Sequence, residues 1–211
     1  MTRILPILDL RFPHAWRAEV LAARPLILPS RHFVYPRDAE EVERGALEVL
    51  IQPGAPGLAS ETWESTTASS PAETEQPFLA TCALGFRDPA APTGLWSTPE
   101  PEKICAVSGG YAYLIDTTAP ERFTMIPYRP VLQVLPAIED GLLLLVGNRM
   151  ILAWGSNGQA WESEKLSDEG VTITGIGNGV LHGTGWAMLT DKEAAFALDL
   201  RSGIRLKRET L

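Results

Sequence analysis

Cysteine is almost missing from this chain of 211 residues, which has only Cys82 and Cys105. Two cysteines so far apart build neither a disulfide framework nor a zinc knuckle, whose ligands come in closely spaced pairs. They read as buried free thiols. Histidine is equally scarce. His14, His32 and His182 have no metal-ligand spacing, so no metal site is expected. Long apolar runs are absent too. The longest, Leu142–Val146, falls far short of the roughly 20 residues that span a bilayer. Pro6, Asp9 and Arg11 interrupt the apolar N-terminus and no small-residue cleavage site follows, so no signal sequence is expected. The expectation is a soluble cytoplasmic protein with no membrane partner. Reaction signatures are also lacking. There is no G-x-S-x-G elbow, no H-E-x-x-H and no cysteine with a motif-placed histidine. No catalytic residue and no cofactor are therefore expected.

Clustered positive charge is the next thing missing. The net charge is −8, and a nucleic-acid partner needs grouped Lys and Arg to meet phosphates. Nucleic acid is therefore not an expected partner. The charge is unevenly placed, however. Residues 1–37 carry six Arg against Asp9 and Glu19, a net of +4. Residues 38–100 carry eleven acids against Arg44 and Arg87, a net of −9. The basic N-terminus docks on the protein's own acidic part in one reading and on an anionic partner in the other.

What the chain does contain is a globular composition, 45% apolar and 21% charged. The N-terminal segment, 1–51, holds a helical candidate at His14–Arg24. Trp16, Val20 and Leu21 share a face, and Pro13 and Pro25 bracket the run. Arg31–Tyr35 is extended between prolines. Asp38–Ile51 starts like a capped helical turn and continues as a strand. Residues 52–77, rich in Pro, Gly, Ser, Thr and Glu, read as a flexible linker or surface excursion.

From Phe78 to Leu211 the texture is all-β. Short β-rich runs are divided by Gly, Asn, Asp and Pro about every ten residues. Asn157-Gly158 is a strong tight-turn signal because both residues tolerate positive φ. Three hairpins superpose by spacing. Asp116 is followed by Phe123, Trp154 by Trp161 and Asp199 by Leu206, each pair spanning the same polar turn. Units of this length fall in the range of stacked β-sheet repeats, which exist because one small sheet cannot bury its own apolar face. The expected fold is a stack of antiparallel hairpin repeats, with a β-sandwich as the alternative. Phe196-Ala-Leu-Asp-Leu-Arg-Ser-Gly203 and Ile151-Leu-Ala-Trp-Gly-Ser-Asn-Gly-Gln-Ala-Trp161 resemble the blades of quinoprotein-type β-propellers. The resemblance implies a partial or small propeller-like arrangement over residues 103–211. It carries no cofactor site across.

The candidate site residues are few. Gly175-Ile-Gly-Asn-Gly179 lacks the third glycine of a dinucleotide fingerprint and reads as a turn. His182 and Trp186, set among Gly183 and Gly185, mark either a ligand approach or a β-bulge. Trp154 and Trp161 pack between sheets or form an exposed aromatic platform. These four are the candidate ligand-binding residues. Asp116 and Asp199 would serve as an acid–base pair, or more simply stabilise turns. The leading functional reading is a non-enzymatic protein-binding module, in one version immunity- or inhibitor-like, with a protein partner or self-association. The second is a hydrolase or carbohydrate-binding protein with an acidic, aromatic cleft.

Overall fold

Two stretches of the chain are apolar on both strand faces, and the architecture is organised around them. The first holds strands β7 (Lys103–Ser108) and β8 (Tyr111–Asp116), and the second β11 (Leu142–Gly147) and β12 (Ile151–Gly155). Nearly every residue of these four strands is buried. A strand buried on both sides must be sandwiched between two other layers. A computed structural model describes residues 5–37, 39, 45–54, 76–88 and 90–207, and it shows those layers as four stacked sheets.

The first sheet contains β2 (Trp16–Val20), β3 (His32–Tyr35), β4 (Ala46–Pro53) and β5 (Phe78–Ala83), in the order β2-β4-β5-β3. In the second, β1 (Ile7–Asp9) lies parallel beside β6 (Gly94–Ser97), and β7, β8 and β9 (Phe123–Met125) follow in order. The third is β10 (Val131–Ala137), β11, β12 and β13 (Gly158–Glu162). The fourth is β14 (Val171–Gly177), β15 (Val180–Ala187) and β16 (Lys192–Asp199). The last two sheets are simple antiparallel meanders, and no α-helix occurs among the described residues.

Three apolar clusters fill the gaps between successive sheets. Trp16, Val49, Ile51 and Phe78 of the first sheet meet Ile104, Tyr113 and Ile115 of the second. Cys105, Val107 and Leu114, on the other face of the second, meet Leu143, Leu145 and Leu152 of the third. Leu144, Val146 and Trp161 then meet Leu181, Phe196 and Leu198 of the fourth. Among the described residues no buried cluster joins the first sheet to the fourth, so the stack is open.

The N-terminal helix is a correction. Within His14–Arg24 the chain forms β2, antiparallel to β4, with Trp16 opposite Pro53 and Val20 opposite Val49. Trp16, Ala18 and Val20 pack inward while Arg17 and Glu19 face solvent. The segment thus also alternates with the period of two proper to a strand, and the neighbouring sheet decides between the patterns. The helical turn expected before β4 lies mostly outside the described residues, as does most of the 52–77 segment. Cys82 faces the second sheet and Cys105 the third, so the two thiols lie on different faces and stay free. Burial pushes both thiols' pKa values up.

The hairpins aligned by spacing have comparable registers. Ile115 pairs with Phe123 and Ala153 with Trp161. In the third unit Leu198 bridges Arg205, one residue tighter, and the Leu206 amide donates to the Ala197 carbonyl. Gly203 lies in this last turn with φ +70°, and a Cβ there would sit 2.5 Å from the Trp161 ring. Trp161 in turn donates its indole N–H to the Leu200 carbonyl at 2.7 Å. Trp161→Ala should therefore cost about 3–5 kcal/mol. Gly203→Ala should cost about 1–3 kcal/mol through backbone strain and overpacking. Urea denaturation of both variants checks this, and an unchanged midpoint for Gly203→Ala would contradict the assigned contact.

Candidate functional site

The strand alternation sorts the candidate residues. On β15, Leu181 packs inward against the third sheet, so His182, Thr184 and Trp186 lie on the outer face. The register adds Ala197, Ala195 and Glu193 opposite them and Thr172 beside Thr184. Among the described residues no further sheet covers this face. Trp154 and Trp161 are only 5% and 8% exposed, buried on either side of the third sheet. The structure thus brings His182 and Trp186 onto one open surface and places the other two in the core.

The glycines around His182 serve packing. A Cβ on Gly183 would meet the Phe196 ring at 2.4 Å and the Thr172 carbonyl at 2.7 Å. The register shift expected near His182 occurs on the opposing strand, between Ile173 and Gly175. Gly177-Asn178-Gly179 is the β14–β15 turn, with positive φ at Asn178 and Gly179.

The backbone around Trp186 is pinned. Its N–H donates to Ser167 Oγ at 2.8 Å, and its carbonyl accepts from the Asp168 amide at 2.8 Å. The Asp168 carboxylate accepts from the Met188 amide and pairs with Lys165, contacts that hold its pKa below the usual range. Beside this anchor lies a shallow groove of about 330 Å³ lined by Glu169, Thr172, Thr184, Trp186 and Glu193. Among the described residues, no ion pair or hydrogen bond engages the Glu169 carboxylate, the Glu193 carboxylate or the Trp186 indole N–H. A second groove, of about 500 Å³, runs past His182, Ala195, Ala197, Arg205 and Leu206. The first is acidic with an aromatic wall, and the second is basic with a floor of small residues.

A larger concavity lies elsewhere, an open cleft of about 870 Å³ at the loop end of the second sheet. Arg37, Glu100, Glu102, Lys103, Asp116, Glu121 and Arg122 are among its lining residues. Two of its carboxylates are already committed. Glu100 bonds Lys103 Nζ at 2.6 Å and the Trp154 indole N–H at 2.8 Å. Asp116 accepts from the Thr118 and Ala119 amides and pairs with Arg122 at 2.9 Å. Asp199 similarly accepts from the Arg201 amide and the Ser202 hydroxyl, which lower its pKa. Both aspartates therefore fasten turns. Among the described residues no group of three or more His, Cys, Asp or Glu is arranged to hold a metal ion.

Sequence reasoning missed a polar cluster on the outer face of the first sheet. Glu48 on β4 pairs in register with Thr81 on β5, and both are buried. The Thr81 hydroxyl donates to Glu48 Oε2 at 2.5 Å, so its oxygen accepts from His32 Nε2 at 2.9 Å. Arg24 approaches Glu48 at 4.0 Å and His32 at 3.4 Å. The only sequence signal was an out-of-pattern Glu48 in an apolar strand. Through Arg24 these contacts fasten the 21–31 connection across the sheet.

No known protein-family model matches the sequence, and no curated protein resembles it closely enough to count as a relative.

The His32 environment predicts a pH effect. Burial, then the Arg24 charge, lowers the His32 pKa, partly offset by Glu48. The folded protein therefore resists a proton that the unfolded chain accepts near pH 6.5. Stability should be fully present above that value and should fall as pH drops through it. Thermal melts between about pH 7.5 and 5.5 should show this loss, and His32→Gln should flatten it. An equal slope in the variant would assign the effect to other groups.

Proposed function

We propose that this chain is a non-enzymatic protein-binding module that engages a partner's basic side chains through the outer face of its fourth sheet. One observation carries the reading. Trp186 is half-buried in an open groove that it shares with Glu169 and Glu193, whose carboxylates have no partner among the described residues, on a backbone pinned by Ser167 and Asp168. An aromatic face beside carboxylates is suited to a guanidinium or ammonium group, by stacking, cation–π attraction and charge-assisted hydrogen bonds. The repeat and propeller-like reading fits this role, since stacked sheets leave an end face free for a partner. Two buried free thiols fit a reducing, cytoplasmic setting.

The hydrolase or carbohydrate-binding reading rests on the 870 Å³ cleft. There Glu100 and Asp116 are taken up by structural contacts, and the nearby Trp154 ring is buried rather than offered as a platform. That disfavours it.

Tryptophan fluorescence titration with arginine-rich, lysine-rich and glutamate-rich peptides tests the proposal. The basic peptides should bind in a salt-sensitive manner and the acidic peptide should not. Trp186→Ala should weaken binding at least about tenfold, as expected for an aromatic anchor, without lowering the urea midpoint by more than surface substitutions do. Equal binding by Trp186→Ala, or no binding of any basic peptide, would overturn the assignment.

A further inference from the structure

The two ends of the stack carry complementary patches. At one end, residues 21–31 cross the outer face of the first sheet. The Leu21 amide bonds the Glu48 carbonyl, Arg24 lies over Glu48 and His32, and the Arg31 carbonyl accepts from the Leu79 amide. Between these fastenings Leu26 and Ile27 stand out into solvent almost completely, with Leu28 partly exposed beside them. Three adjacent exposed aliphatics between Pro25 and Pro29 form an apolar ridge. Arg24 flanks it, Arg17 and Glu19 project from the same sheet face, and the segment 1–37 carries a net charge of +4.

At the other end is the Trp186 groove with Glu169 and Glu193. The β15–β16 turn begins one residue past Trp186's neighbour Ala187, and there Met188 and Leu189 are also exposed, Leu189 fully. The strap thus offers aliphatics beside Arg24, and the Trp186 groove offers an indole beside anions with Met188 and Leu189 close by. From this complementarity we infer that the partner seated on the fourth sheet is a second copy of this chain, docking head to tail through its 21–31 strap. The inference rests on the protein-binding reading of the groove and names its occupant. Such a contact uses two different surfaces, so it closes into a ring where the rotation permits and otherwise grows into a filament.

The paired surfaces make the test specific. Sedimentation velocity of the full chain at rising concentration should show assemblies of two or more copies, weakened by salt. Leu26→Asp/Ile27→Asp in the strap and Glu169→Lys/Glu193→Lys in the groove should each weaken association by more than about tenfold. Mixing the two variants should restore a one-to-one pair and nothing larger, because each keeps the surface the other lacks. Urea midpoints near the wild-type value confirm that both variants fold. A chain that stays monomeric yet binds basic peptides at Trp186 would overturn the second-copy inference and leave the groove reading standing. Association unaffected by either variant would overturn the inference as well. A monomer that binds no basic peptide would overturn both.

Discussion

The structure depends on burying both faces of its two central sheets. Ile104, Cys105, Ala106 and Val107 alternate sides along β7, as Leu142 to Val146 do along β11, and nearly all are inaccessible to water. Each fully buried aliphatic of this kind contributes about 1.5–3 kcal/mol relative to exposure. Neither sheet can collect that gain alone, because a single neighbour covers only one side. The second sheet therefore requires the first and third, and the third requires the second and fourth. The layered order follows from composition before any particular contact is considered.

Apolar burial alone leaves the sheets free to slide, and polar tips on buried aromatics remove that freedom. Trp16 donates to the Lys103 carbonyl, Tyr35 to Pro120 and Tyr113 to Ala83, which ties the first sheet to the second. Trp154 reaches Glu100 from the third sheet to the second, and Trp161 reaches Leu200 from the third sheet towards the fourth. A buried indole or phenol left without a partner is costly. Each bond therefore fixes one relative position of two sheets as well as filling space. Trp186 differs from these: its ring lies on the uncovered face and its indole has no such partner among the described residues.

This distinction marks the limit of what was legible in the sequence. Strands such as β7, β8, β11 and β12 announce themselves by apolar runs between turn residues, and Asn157-Gly158 marks the β12–β13 turn correctly. The His14–Arg24 window was ambiguous because Trp16 and Val20 are four apart, a separation that serves one helical face and one strand face equally. β15 was largely hidden, since Gly183 and Gly185 look like loop residues until the Phe196 ring and the Leu166 carbonyl are seen against them. The four candidate binding residues were named together. Only the sheet register separates His182 and Trp186 from Trp154 and Trp161, because a period of two says which residues share a face and not which face is covered. The Glu48–Thr81–His32 cluster joins three strands distant in sequence, so no local pattern encoded it.

A stack built this way has to stop, and how it stops decides where function resides. A terminal sheet with an apolar outer face would recruit further layers indiscriminately, so stacked architectures end in faces that water tolerates. The first sheet ends with Glu48, Thr81 and His32, over which a connecting segment is fastened. The fourth ends with Thr172, Thr184, Ala195 and Ala197, residues too small to drive nonspecific collapse. Against that muted background a single aromatic edged by two carboxylates stands out energetically, since it offers one of the few concentrated contacts on the face. On the proposed reading, selectivity at this end follows from the same requirement that limits the stack: most of the surface is made unattractive, and what remains suits a partner carrying the opposite charge beside an apolar surface.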